Sequence, residues 1–136
     1  MTLTDTGPLV GLLDKNDPYH SICTEAASEL PAGPMLSTWP CITEAMYLLG
    51  RSAGDEGQVA LWNLLLHGLL ELQETGRGEF SRMAKLMDRY KDLPMDLADA
   101  SLVSAAEVTG KRKVFSLDNH LRIYQLKDGS HFEVVP

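Results

Sequence analysis

Short apolar runs, each closed by a turn residue or an acid, alternate with helix-patterned stretches from one end of this chain to the other. Leu3-Thr4 stops at Asp5-Thr6-Gly7-Pro8, Met35-Leu36-Ser37-Thr38 runs into Trp39-Pro40, and Leu69 to Gln73 follows Gly68. Val114-Phe115-Ser116-Leu117 ends at Asp118, and Phe132-Glu133-Val134-Val135 supplies a last strand. Such alternation leaves few solutions, because successive strands joined by helical crossovers pair in parallel and the helices must cover the faces of the sheet. The fold class expected is α/β, a three-layer sandwich with a mainly parallel central sheet flanked by helices.

The helical stretches are read from apolar spacing and from their stops. Pro8 suits the first turn of a helix running to Leu13, and Asp17-Pro18 opens a second, with an Asp cap, that reaches Leu30 before Pro31 and Gly33. Trp39-Pro40 begins a third, with Ile42, Ala45, Met46, Leu48 and Leu49 at helical spacing. A fourth spans about Asp55 to His67, with Val59, Leu61, Trp62, Leu65 and Leu66 on its buried side, and a more polar fifth covers Glu79 to Tyr90. Asp96 to Thr109 is Ala-rich and apolar on most sides, the pattern of a helix packed against a sheet, and Asn119 to Tyr124 is a short helix or turn. No repeat, low-complexity tract or linker divides the chain. A single domain over residues 1–136 is expected, and 136 residues with 44% hydrophobic content suffice for a core without disulfides.

The N-terminus has no basic stretch leading into an apolar run, and no later segment approaches membrane-spanning length. A cytoplasmic protein with no membrane partner is expected. Cys23 and Cys41 stand apart, without the close pairing or His neighbours of a zinc site, and read as reduced core thiols. The net charge of −7 argues against a broad basic nucleic-acid surface. A small site remains open, since divalent ions bound among carboxylates invert the local charge.

Four acids fall at element boundaries in apolar or small-residue surroundings: Asp5, Glu44, Asp99 and Asp118. A lone carboxylate there is costly to desolvate unless it is paired or cation-bound, so the four suggest one shared metal. Asp5 and Asp118 end strands, while Glu44 and Asp99 begin helices, and in a parallel sheet those positions line one edge. Oxygen-only ligands suit Mg²⁺ or Mn²⁺ rather than zinc. Each acid also has an ordinary reading as a turn former or cap, and Asp96 with Asp99 has the N-cap to N3 spacing of a capping box. The basic residues Arg82, Lys85, Arg89 and Lys111-Arg112-Lys113 read chiefly as solvated or paired charges, and the four histidines lack ligand spacing.

These residues resemble the PIN-domain family, and within it the small VapC-like toxins of bacterial toxin–antitoxin pairs. The resemblance runs over nearly the whole chain: Leu3-Thr4-Asp5-Thr6-Gly7-Pro8 is similar to the family's opening, Thr43-Glu44-Ala45 to its second acid, Leu97-Ala98-Asp99-Ala100 to its third and Phe115-Ser116-Leu117-Asp118 to its fourth. Leu93-Pro94-Met95-Asp96-Leu97-Ala98-Asp99 is like a subgroup carrying both aspartates. It implies a Mg²⁺- or Mn²⁺-dependent endoribonuclease, usually a homodimer, with RNA as substrate and a cognate antitoxin covering the site. Carried over residue by residue, it implies Asp5, Glu44, Asp99 and Asp118 as catalytic, the same four with Asp96 as metal ligands, and Thr6 and Ser116 as supporting groups. Two other readings stay open: a phosphohydrolase or DNA nuclease using the same carboxylates, and a noncatalytic binding module whose acids are mostly caps.

Overall fold

The computed structural model describes residues 1–136. Its centre is a five-stranded, wholly parallel sheet of β1 (Thr2–Thr4), β2 (Met35–Ser37), β3 (Leu70–Leu72), β4 (Lys113–Phe115) and β5 (Glu133–Val135), ordered β3-β2-β1-β4-β5. The chain starts in the middle, steps outward to β2 and β3, then returns to the other side of β1 for β4 and β5. That reversal beside β1 opens a crevice at the strands' C-terminal ends, where doubly wound sheets bind ligands.

Helices α1 (Thr6–Leu13), α2 (His20–Glu29), α3 (Trp39–Ser52), α4 (Gly54–Leu66), α5 (Phe80–Arg89) and α6 (Leu97–Thr109) complete the sandwich. Met35 and Leu36 belong to different hydrophobic clusters, as the alternation of a pleated strand requires. One cluster sets Leu3, Leu36, Val114 and Val134 of the sheet against Leu102 and Val103 of α6 and Leu86 of α5. The other joins Leu70 to Leu9 of α1, Ile42 and Leu49 of α3 and Leu61 of α4. Helix α6 is buried from Ala98 through Ala106, which is why its sequence is apolar nearly all round.

Two expectations change. The second helix begins at His20 rather than Asp17, whose carboxylate instead accepts from the amide of Tyr19 at 2.8 Å and closes the preceding turn. The face of α4 expected to be buried is largely open: Val59, Trp62 and Leu66 are exposed and Leu61 carries the packing. Of the basic residues, Arg82 forms a two-pronged pair with Glu107, at 3.0 and 2.8 Å, and Arg112 pairs with Asp128. Cys23 and Cys41 are buried free thiols, as expected. No helix is long and apolar enough to cross a membrane.

Candidate metal centre

The register of the sheet builds the site. Thr4 of β1 sits opposite Phe115 of β4, so the residues that follow, Asp5 and Ser116, emerge side by side at the crevice. The Asp5 amide donates to the Phe115 carbonyl at 2.9 Å, and Ser116 Oγ donates to Asp5 Oδ2 at 2.8 Å. The same Oγ accepts from the Asp118 amide at 3.0 Å, tying the first and fourth acids through one hydroxyl. On the other side, the Thr6 amide donates to Asp5 Oδ1 at 2.7 Å and Thr6 Oγ1 donates to Glu44 Oε2 at 3.1 Å. Thr6 and Ser116, expected as supporting groups, thus bridge Glu44, Asp5 and Asp118.

Asp99 enters from α6. Asp96 is the N-cap of that helix, accepting from the Asp99 amide at 2.8 Å, and Asp99 reaches back weakly toward the Asp96 amide at 3.4 Å. The capping-box spacing therefore has its structural role in Asp96, while Asp99 Oδ2 accepts from the hydroxyl of Tyr124 at 3.0 Å. Asp5 is 8% exposed and Asp99 6%. Glu44 and Asp96 stand at the open rim, and Asp118, half-buried, accepts from the His120 amide at 2.9 Å.

The electrostatics show what this arrangement lacks. No Lys or Arg pairs with any of the five; the ion pairs with those cations lie elsewhere, and only the His120 imidazole approaches, 3.6 Å from Asp118. Burial raises Asp5 above the ordinary carboxylate range, the Ser116 and Thr6 hydrogen bonds hold it down in part, and Asp118 and Asp96 push it up further. Glu44 is raised by partial burial and then by Asp96. Asp99 is pushed up to about 7, first by burial and then by the neighbouring Asp96 charge, against the Tyr124 bond that favours its ionised form.

No three His, Cys, Asp or Glu side chains lie close enough to enclose an ion as they stand. Each carboxylate is held by its own hydroxyl or amide donor. The fit to a divalent cation rests on donor chemistry: oxygen atoms only, mutually repelling, without a cationic side chain to neutralise them. The charges of Asp5, Glu44, Asp96, Asp99 and Asp118 lie near enough to act on one another, which puts all five acids at one end of the sheet.

Two participants have no local signal in the sequence. Cys41 is fully buried with Sγ 3.8 Å from Asp5 Oδ1, and burial followed by the Asp5 charge raises its thiol to about 12, so it is not a thiolate at neutral pH. Tyr124, fully buried and packed against Tyr90 with ring centroids 5.0 Å apart and planes tilted by 59°, looks like plain core in the sequence; only its hydroxyl, directed at Asp99, gives it a polar role. Tyr124→Phe should keep the packing and weaken Mn²⁺ binding by about 10- to 100-fold, as loss of a ligand's outer partner does. Mn²⁺ titration by calorimetry checks it, and unchanged affinity would remove Tyr124 from the site.

The family model for the PIN domain matches residues 2–126. The chain is 26% identical over 135 residues to the ribonuclease VapC26 of Mycobacterium tuberculosis, covering 98% of this chain and 99% of that protein. Among solved structures it resembles VapC20 of Mycobacterium tuberculosis, a Sarcin-Ricin loop cleaving toxin, with a TM-score of 0.82, 15% identity and full coverage of both chains. It also resembles a chain of VapBC2 from Rickettsia felis, crystallised on a DNA fragment from the pair's promoter, with a TM-score of 0.62, 12% identity and coverage of 99% and 98%. The structural likenesses, at such low identity, speak to a shared fold.

Proposed function

This chain belongs to the PIN domain family, and from that premise we propose that it is a metal-dependent endoribonuclease, the toxin of a type II toxin–antitoxin pair. The observation that carries the reading is a crevice of carboxylates, two of them buried, with no Lys or Arg to neutralise them. The ribonuclease named VapC26, matched over nearly its whole length, supports RNA as the substrate class.

In this reading Asp5, Asp99 and Asp118, with Glu44 directly or through water, hold one or two Mg²⁺ or Mn²⁺ ions. A divalent cation so bound neutralises charge on a phosphodiester and makes water easier to deprotonate. Ser116 and Thr6 fix the directions of the Asp5, Asp118 and Glu44 groups, and Tyr124 fixes Asp99. Burial of Asp5 and Asp99 keeps bulk water off the inner half of the site. No side chain is placed as a nucleophile: Cys41 is buried and protonated, and the crevice hydroxyls of Ser116 and Thr6 are engaged with carboxylates. Water is therefore the attacking group.

Residues 1–136 act as one domain, in the cytoplasm, where the buried free thiols of Cys23 and Cys41 stay reduced. The VapBC2 pair supports a cognate antitoxin as partner. A homodimer is the expected state, for which the exposed Val59, Trp62 and Leu66 of α4 offer apolar surface.

One observation favours the noncatalytic alternative: Asp5, Asp96 and Asp118 all cap helical turns. A side-by-side assay of RNA, single-stranded DNA and a phosphomonoester with Mn²⁺ separates the readings. Cleavage of RNA alone, stopped by EDTA and restored by added Mn²⁺, is expected. Equal cutting of DNA would move the proposal to a general nuclease, and no cutting with no Mn²⁺ binding would leave the acids as caps.

A further inference from the structure

Beside the carboxylates lies a groove of about 500 Å³, within the range of about 300–1,000 Å³ typical of small-molecule sites, whose walls are Trp39, Phe80 and Leu97, with Gln73 and Thr75 among its polar groups. Its place follows from the topology. Trp39 lies two residues past the end of β2, and Gln73 and Thr75 lie just past β3, on the same edge of the sheet as Asp5 after β1. Neighbouring strands are about 4.8 Å apart, so the groove is displaced from Asp5 by roughly 5–10 Å, a distance one nucleotide can bridge. Leu97, the first residue of α6, joins it to the acids, since it follows Asp96 and stands two residues before Asp99.

The rings of this groove are not spent on the core: Trp39 is 50% exposed and Phe80 54%. RNA held at such a site also needs contacts other than charge. The chain carries −7 overall, and Arg82, Arg112 and Lys113 are already paired with Glu107, Asp128 and Glu133. No Lys or Arg lines the groove itself, so affinity within it has to come from stacking, which any base provides through its π face.

We propose that this groove binds an unpaired nucleobase next to the scissile phosphate, stacked on Trp39 against Phe80, with Gln73 and Thr75 reading its edge. The assignment rests on the ribonuclease reading above and adds to it the group that places the RNA strand. Trp39 is in these terms a specificity-determining residue, and a double-stranded substrate, whose bases are already stacked, is refused.

The test has two arms. In the metal-free full-length chain with Trp62→Phe, Trp39 is the sole remaining tryptophan, and AMP, GMP, CMP and UMP are titrated against its fluorescence. Saturable quenching by at least one nucleotide is expected; no quenching by any of the four overturns the proposal. In the second arm, Trp39→Ala should lower kcat/KM on single-stranded RNA by about 10- to 100-fold, the usual loss on removing a stacking ring. Trp39→Phe should remain within a few-fold of the parent, and Mn²⁺-dependent hydrolysis of methyl p-nitrophenyl phosphate, too small to reach the groove, should not change. Trp39→Ala cutting RNA at parental rates and positions would sink the stacking role while leaving the nuclease intact. Quenching in a chain that cuts no RNA would keep the base site and reject the nuclease. If the nucleotides leave Trp39 unchanged and a co-purified small partner protein buries it instead, the groove is a protein-docking surface and the proposal fails.

Discussion

Asp99→Asn gives a protein that, in EDTA at pH 8, melts on the order of 5–10 °C above the parent and yet cuts RNA at least about a hundredfold more slowly when Mn²⁺ is supplied. Both effects come from one carboxylate. Asp99 is buried, faces the Asp96 charge across the first turn of α6 and has no cation beside it, so its ionised form is disfavoured in the folded chain. An amide of the same shape removes that cost, keeps an oxygen to accept from Tyr124 and remains in the helix. It also removes a charged ligand, and losing merely an outer partner of such a ligand costs about 10- to 100-fold. Asp5→Asn should abolish cleavage to a similar degree with little gain in stability. Both Asp5 oxygens accept, from the Thr6 amide and from Ser116 Oγ, and that Oγ is itself committed to the Asp118 amide, so an NH₂ group leaves one contact unmade. Thermal melting and initial rates on RNA, measured on the same preparations, check both. Parental rates in either variant would dismiss that residue from the chemistry.

The order of strands and helices was legible because Gly, Pro and the acids mark nearly every boundary. Leu70–Leu72, Leu97–Thr109 and Lys113–Phe115 all fall within two residues of where the pattern put them. The placement of Asp5 was legible for a topological reason: a charged residue directly after a buried strand emerges at the sheet edge, whereas Glu44 and Asp99 reach that edge from within helices. What periodicity could not supply is which side of an apolar helix faces inward. Helix α4 is apolar on two sides, with Val59, Trp62 and Leu66 along one and Leu61, Leu64 and Leu65 along the other, and it packs against neighbouring helices through a narrow seam. The hydroxyls around the acids illustrate the same limit. Ser116 and Thr6 are adjacent in sequence to elements of the site, whereas Tyr124 is 25 residues from Asp99 and meets it only through folding.

Metal-free protein should lose stability as pH rises from about 4 to 7, the reverse of the usual behaviour of carboxylates held by ion pairs. The sign follows from proton binding. Asp99 titrates near 3.8 when unfolded and at about 7 when folded, so across that interval the native state holds the proton the unfolded state has released, and each step upward in pH favours unfolding. Asp5 and Glu44 are displaced in the same direction and add to the slope. For Asp99 the sum is on the order of a few kcal/mol, or roughly 10 °C in Tm for a chain of this size. A divalent ion acts on the same groups from the other side. At pH 8, Mn²⁺ at a hundred times its Kd should return about 2.7 kcal/mol, while at pH 5 a proton occupies Asp99 and the ion should do less. Melting curves at pH 5 and pH 8, with EDTA and with Mn²⁺, give four values that decide the matter. Asp99→Asn should flatten the pH dependence in EDTA, because the titrating group is gone. A Tm that climbs with pH in EDTA, or an equal Mn²⁺ shift at both pH values, would mean that these carboxylates are satisfied by their caps alone and that no cation is needed to hold them together.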